Sequence, residues 1–166
     1  GEPLIHWAAS GLLNWSMVAF LGLPPILATL GSGLVFTGLA IALTGGSAVM
    51  GFPEVVAWIG NTQLLGIPTP LLIFIVLAVA LHILMTRTAF GLRISMYGTN
   101  PLAALYAAVD VNGMLLRVYT ISGLFASVAG MVIMSRANSA KADYGSSYLL
   151  LAVLIAVLGG VNPYGG

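Results

Sequence analysis

The sequence predicts an all-α fold, a polytopic bundle of transmembrane helices with one short interfacial helix in a cytoplasmic loop. Three observations support this fold class. Of the 166 residues, 60% are hydrophobic and only 5% are charged, whereas a soluble domain carries about 25% charged residues. Long segments such as residues 3–53 contain no charged residue at all. Glycine and proline divide the chain into apolar runs, several of them close to the length of about 20 residues that a helix needs to cross a bilayer.

The same composition excludes several classes of protein. A soluble surface cannot be covered by nine charged side chains, and disordered chains have the opposite bias. A net charge of +1 offers no basic face to nucleic acid. No segment shows the alternating pattern of a membrane β-barrel. The absence of cysteine removes disulfide frameworks and thiolate metal sites. After these exclusions, the composition indicates an integral membrane protein built from helices.

The apolar runs predict four membrane crossings and one shorter helix within a single domain, residues 1–166. The first run ends at the sequence GLPP and the second at TGG, both of which favour turns. A more polar segment follows, with Trp58 as an interfacial ring. The last run is too short to cross and suits a broken or re-entrant helix. The predicted helices span residues 5–21, 26–43, 67–85, 114–135 and 148–158, and a loop occupies residues 86–113.

Counting basic residues near the helix ends predicts the orientation. Residues 86–117 contain three arginines and one aspartate, whereas the opposite side, by alternation, contains Arg136 and Lys141. The excess of basic residues places the loop at residues 86–113 in the cytoplasm.

The sequence contains no set of residues for catalysis. It lacks a phosphate-cradling G-x-x-x-x-G-K-[ST] loop and a dinucleotide fingerprint, and its two histidines and four carboxylates have no metal-ligand spacing. We therefore predict a non-enzyme with no catalytic residue, cofactor site or metal site. No ionisable residue lies in the middle of an apolar run, which argues against a proton- or sodium-driven carrier.

Uncharged polar residues within the runs have two interpretations. Most are expected to bond to backbone carbonyls or neighbouring helices, and a minority could line a passage. The candidates for a passage are Asn14, Thr29, Ser32 and Thr37.

Small residues recur every four positions in the fourth run, at Ser122, Ala126 and Gly130. Because small side chains let helices approach closely in lipid, this face predicts a helix-packing surface.

Residues 100–109 predict a short helix in the loop. Asn100 suits the N-cap and Pro101 the first helical position, and Leu102, Leu105 and Tyr106 share one apolar face. Val109 completes this face, and four alanines form the remaining surface: Ala103, Ala104, Ala107 and Ala108. Such a helix should lie flat at the membrane boundary, where it either enters a groove on a partner or contacts lipid headgroups.

The loop and several flanking segments resemble the permease subunits of ribose-type ABC importers. In the loop, GLR, YGTN, AA and VDVN match the cytoplasmic loop of that family. The other matching segments, in the same order as in the family, are PPILATLG at 24–31, LTGG at 43–46, LGIPTP at 65–70, YTISGLFASVAG at 119–130 and VLGG at 157–160. Residues 104–107 and 139–143 are most similar to the branch that imports rhamnose, autoinducer-2 and related small sugars.

The resemblance implies a membrane-spanning subunit of the bacterial inner membrane that imports a monosaccharide or similar small sugar by alternating access. The implied partners are ABC ATPase subunits, which bind ATP and Mg²⁺, a second permease, an extracytoplasmic sugar-binding protein and the bilayer. Residues 100–109 would be the coupling helix seated in the ATPase, so charge at Ala104 or Ala107 is expected to uncouple hydrolysis from uptake. Family members extend further at both ends, so we expect this chain to be truncated at both ends.

This sequence departs from the family at two positions. Family members commonly have arginine where Leu105 stands and glycine where Ala108 stands. The missing arginine removes any ion pair between the loop and the ATPase at that position. A scaffold or a membrane enzyme subunit is the alternative function, and co-purification of an ATPase would distinguish the two.

Overall fold

The computed structural model describes residues 2–161, with side chains from Ala9 onward. The described chain is predominantly α-helical, which confirms the predicted fold class. Its helices are α1 (Glu2–Ala19), α2 (Pro25–Thr44), α3 (Glu54–Asn61), α4 (Thr69–Arg87), α5 (Ala89–Thr99), α6 (Pro101–Tyr106), α7 (Val111–Ala137) and α8 (Ser146–Leu158).

Within residues 2–161, four two-residue strands form two antiparallel pairs outside the long helices. They are β1 (Val49–Met50), β2 (Gln63–Leu64), β3 (Ile67–Pro68) and β4 (Ser139–Ala140). β2 and β3 form a hairpin, whereas β1 pairs with β4 and so joins the end of α2 to the end of α7.

Three of the described helices are long and apolar enough to cross a membrane: α2, α4 and α7. At 1.5 Å per residue, α2 and α4 are each about 30 Å long and α7 about 40 Å, against a hydrocarbon core of about 30 Å. Most of the large apolar side chains of α2 and α4 are exposed, as expected for surfaces that face lipid, whereas most of those of α7 are half-buried. The first predicted crossing corresponds to α1, and its role as a crossing stays a prediction. With 13 residues, α8 is too short to cross.

The polar-leaning segment after α2 contains a helix that the sequence did not predict. α3 has only eight residues, so periodicity over so short a span is a weak signal. Its stability comes from packing on the end of α7, through the buried Gly60.

α7 is the helix against which α1 and α3 pack. The indole N–H of Trp15 donates to the carbonyl of Asn112 over 3.0 Å. A Cβ at Gly11 would lie 2.9 Å from the carbonyl oxygen of Tyr119. The later residue of α1 therefore contacts the earlier residue of α7, so the two helices run antiparallel.

α3 packs on the other end of α7. The Ser135 hydroxyl donates to the Val56 carbonyl, and the Asn61 amide donates to the Ser135 carbonyl over 3.3 Å. A Cβ at Gly60 would lie 2.8 Å from the backbone nitrogen of Arg136. These contacts fix α3 beside the last turns of α7.

The contacts define two ends of the bundle. At one, which we call the α6 end, the C-termini of α1 and α4 meet α5, α6 and the start of α7. At the other, the α3 end, α3 and the β1–β4 pair meet the C-terminus of α7. All the residues of the loop predicted at 86–113 therefore lie at one end.

The tight α1–α7 contact predicts that Gly11→Ala destabilises the protein. The added methyl group would meet the Tyr119 carbonyl and push the helices apart, at a cost of about 1–3 kcal/mol. Thermal unfolding in detergent measures the effect. Gly33→Ala in α2 is the control, because a Cβ there meets nothing within 4 Å. Since alanine is the better helix former, the control should unfold at an equal or higher temperature, and equal losses in both variants would contradict the packing argument.

Candidate functional site

The loop between α4 and α7, residues 88–110, starts with a tight corner. Thr88 caps α5, because its hydroxyl accepts from the Gly91 N–H over 3.3 Å and donates to the Leu84 carbonyl over 2.5 Å. Gly91 is buried, and a Cβ there would overlap the backbone of Met85. Only glycine lets α5 leave α4 at this angle, so the corner is rigidly defined.

The short helix predicted in this loop is present as α6, but it is shorter than predicted. Asn100 caps it by accepting from the Ala103 N–H over 3.1 Å, and Pro101 occupies the first turn, as expected. The helix ends at Tyr106, because the backbone turns at Ala107 and Ala108. The prediction that residues 107–109 are helical is therefore wrong.

A left-handed residue closes α6. Ala108 has φ +54°, and its N–H donates to the Leu105 carbonyl over 3.1 Å. The N–H of Val109 donates to the Ala104 carbonyl over 3.2 Å. Such a C-terminal turn favours glycine, which explains why the resembling family commonly has glycine where this chain has Ala108.

α6 exposes three large apolar side chains. Leu102 is 65% exposed, Leu105 62% and Tyr106 87%. Leu102 and Leu105 also line a groove of about 540 Å³, which Tyr97 and Val109 help to form. An exposed apolar surface of this kind suits contact with a partner protein or with the membrane. We call Leu102, Leu105 and Tyr106 the α6 surface.

Ala104 does not belong to that surface. Its exposed fraction is 0%, and its carbonyl accepts the bond that closes the turn. Charge at Ala104 would therefore disturb the loop itself, and the expected uncoupling at this position stays a prediction. Ala103 and Ala107, by contrast, are exposed.

Two of the predicted pathway residues, Asn14 and Ser32, form a hydrogen bond between two helices. The Ser32 hydroxyl donates to the Asn14 side-chain oxygen over 2.6 Å and links α2 to α1. Thr29 bonds to carbonyls of its own helix, including that of Pro25 over 2.9 Å, and Thr37 is half-buried. The pathway role of these four residues stays a prediction.

The small-residue face of α7 is open within the described chain. Ser122 and Ala126 are exposed, and a Cβ at Gly130 meets nothing within 4 Å, whereas the neighbouring Ser127 is buried. Ala126 and Gly130 line an apolar cleft of about 710 Å³ between α7 and the start of α8. Close helix packing on this face stays a prediction.

The left-handed turn after α6 predicts that Ala108→Gly stabilises the loop. A Cβ in this conformation costs about 1 kcal/mol, so its removal should slow amide hydrogen exchange at residues 104–109 by up to about fivefold. Ala107→Gly is the matched control, because Ala107 has φ −78° and glycine there only adds unfolded-state entropy. Faster exchange in Ala108→Gly would contradict the assigned turn.

Comparison with known proteins places the chain in a family. Residues 5–166 match the family model described as "Branched-chain amino acid transport system / permease component". No solved structure matches the chain.

Three similar relatives share one printed name, "Autoinducer 2 import system permease protein LsrD". The identity is 37% over 165 residues with that of Photorhabdus temperata, and 36% and 34% over 169 residues with those of Salmonella typhimurium and Escherichia coli K12. These alignments cover 96–98% of this chain but only 50–51% of each relative, so the chain spans about half the length of the relatives it matches. The predicted resemblance, including its autoinducer-2 branch, is confirmed. The chain is a membrane protein and belongs to the permease component family of branched-chain amino acid transport systems.

Proposed function

We propose that the chain forms part of a permease subunit of an ABC importer, which moves a small sugar across the bacterial inner membrane by alternating access. The single observation that carries this proposal is the α6 surface. It is apolar, exposed and fixed at both ends to membrane helices, through the Gly91 corner on one side and the start of α7 on the other. A surface of this kind could transmit a conformational change of a bound partner to the membrane helices.

The partner is a pair of ABC ATPase subunits. The chain itself has no phosphate-binding motif, so ATP and Mg²⁺ bind to the ATPase, and the chain carries no cofactor. A second permease, identical or paralogous, completes the pathway, and an extracytoplasmic binding protein delivers the sugar. The open small-residue face of α7 is available for a close helix contact in that assembly.

Movement of the ATPase reaches the membrane through rigid connections. Behind α6, Asp110 caps α7 by accepting from the Gly113 N–H over 3.1 Å. Ahead of α6, the α4–α5 corner has no space for a side chain at Gly91. A displacement of α6 therefore pulls the ends of α4 and α7 with it, and α1 and α3 follow α7 through their close contacts.

Charge supports an orientation with the α6 end in the cytoplasm. Three arginines and one aspartate lie at this end: Arg87, Arg93, Arg117 and Asp110. Two basic and two acidic residues lie at the α3 end: Arg136, Lys141, Glu54 and Asp143. Cytoplasmic ends of membrane proteins carry the excess of arginine and lysine.

The relatives' name points to autoinducer-2, or a small sugar close to it, as the substrate. The test is reconstitution of the intact permease with its ATPase and binding protein in lipid vesicles. ATP-dependent accumulation of autoinducer-2 inside the vesicles supports the proposal. Equal accumulation without ATP, or without the ATPase subunits, would contradict it.

The α6 surface predicts that Leu105→Glu uncouples the importer. A carboxylate buried against an apolar groove on the ATPase costs about 2 kcal/mol or more, so co-purified ATPase and ATP-driven uptake should each fall about tenfold or more. Ala107→Glu, at an exposed position next to the helix, should show the same effect to a smaller degree.

Leu65→Glu is the matched control for this experiment. Leu65 is 99% exposed in the β2–β3 hairpin, which follows α3 and precedes α4 at the opposite end of the bundle. The control should retain the ATPase on purification. Retention of the ATPase by Leu105→Glu at the level of the control would rule out α6 as the contact.

A further inference from the structure

An apolar cleft opens beside the α4–α5 corner, and the proposed function makes no use of it. The cleft has a volume of about 430 Å³ and lies between the last turns of α4, the start of α5 and one face of α7. Its lining residues are Leu84, Phe90, Leu116, Arg117, Thr120 and Ile121. The Thr120 hydroxyl donates to the Leu116 carbonyl over 2.8 Å, so the wall beyond Arg117 requires no polar partner.

A small polar cavity adjoins this cleft. It has a volume of about 60 Å³ and shares Phe90 and Arg117 with the cleft, while Arg93 and Asp110 form its polar side. Two arginines and one aspartate therefore border one cavity.

The two arginines have no ion-pair partner in the described part of the chain, where the single salt bridge joins Lys141 to Asp143. The Asp110 carboxylate is engaged as the N-cap of α7, where it accepts from the Gly113 N–H. Because two positive charges face one negative charge, the cavity favours an anion.

The charged cavity and the apolar cleft are arranged along the bundle in the same order as the headgroup and the acyl chains of a lipid. Arg117 is the seventh residue of α7 and lies about 9 Å along its axis. α7 exceeds the hydrocarbon core by about 10 Å, and the long side chain of Arg117 can extend from this depth to the level of the headgroups. Thr120 and Ile121 lie further along α7 from the α6 end, which places their part of the apolar cleft on the hydrocarbon side of Arg117.

We propose that this cleft binds one anionic phospholipid, with the phosphate between Arg93 and Arg117 and an acyl chain against Leu84 and Ile121. A soluble anion would bind between the arginines but would not fill the apolar cleft. An apolar helix would fill the cleft but would leave the two arginines unpaired. The bound lipid would bridge α4, α5 and α7 and hold the loop at the membrane surface. Basic pockets between helices on the cytoplasmic side are typical sites for anionic headgroups. The inference requires only that the chain lies in a bilayer, so it goes beyond the proposed function.

Lipid retention by the purified intact permease tests the proposal. The protein in detergent is incubated with phosphatidylglycerol or with phosphatidylcholine of the same acyl chains, and bound lipid is counted by native mass spectrometry. Phosphatidylglycerol should be retained severalfold better. Each of Arg93→Gln and Arg117→Gln should lower its retention about fivefold, and Arg117→Lys should lower it less. Arg136→Gln is the matched control, because Arg136 is also exposed but lies at the α3 end.

A second variant tests the apolar part of the site. Thr120→Trp fills the cleft, leaves both arginines in place and should also reduce retention of phosphatidylglycerol. Equal retention of the two lipids, or an equal loss in Arg136→Gln, would overturn the proposal. If Thr120→Trp still retains the lipid and inorganic phosphate displaces it, the cavity binds free anions and the assignment to a lipid is wrong.

Discussion

Close approach of helix backbones to α7 is the constraint on which the remaining structure depends. In lipid, apolar side chains gain nothing by leaving the solvent, so helices associate through packing and hydrogen bonds. Apart from Met114, the buried positions of the described residues accordingly carry small side chains or none, as at Gly11 on α1 and Gly60 on α3. Larger apolar residues remain on the outside, where lipid replaces the hydrophobic core of a soluble protein. The identity of a few small residues therefore decides which helices meet.

This packing fixes the loop between α4 and α7 at one end of the bundle, and α3 with the β1–β4 pair at the other. α1 contacts α7 near Asn112, beside the loop, and α3 contacts α7 at Ser135, at the far end. A force on α6 would therefore act first on the near end of α7, and α3 would move with its far end through the contacts of Ser135.

The sequence predicted the long elements of this fold well, and failed where tertiary contacts decide. Composition and run length suffice for α2, α4 and α7, because a bilayer imposes a minimum length on every crossing. The N-cap at Asn100 was also predictable, since capping is a local property. The helix α3, the contacts of Ser135 and the burial of Ala104 were not. Each depends on a neighbour distant in the chain, and an alanine or serine carries no local signal of being buried.

The absence of an arginine at position 105 changes how α6 can hold a partner. With Leu105 in its place, the exposed face of the helix carries no charge, and the proposed contact would rely on shape and on the burial of Leu102, Leu105 and Tyr106. An apolar contact transmits force only if both sides are stiff, because it lacks the directional bonds of an ion pair. The rigidity of the Gly91 corner and of the Asp110 cap supplies that stiffness on the permease side. The basic residues nearest to α6, Arg93 and Arg117, line the neighbouring cavity, which leaves the α6 surface free of charge.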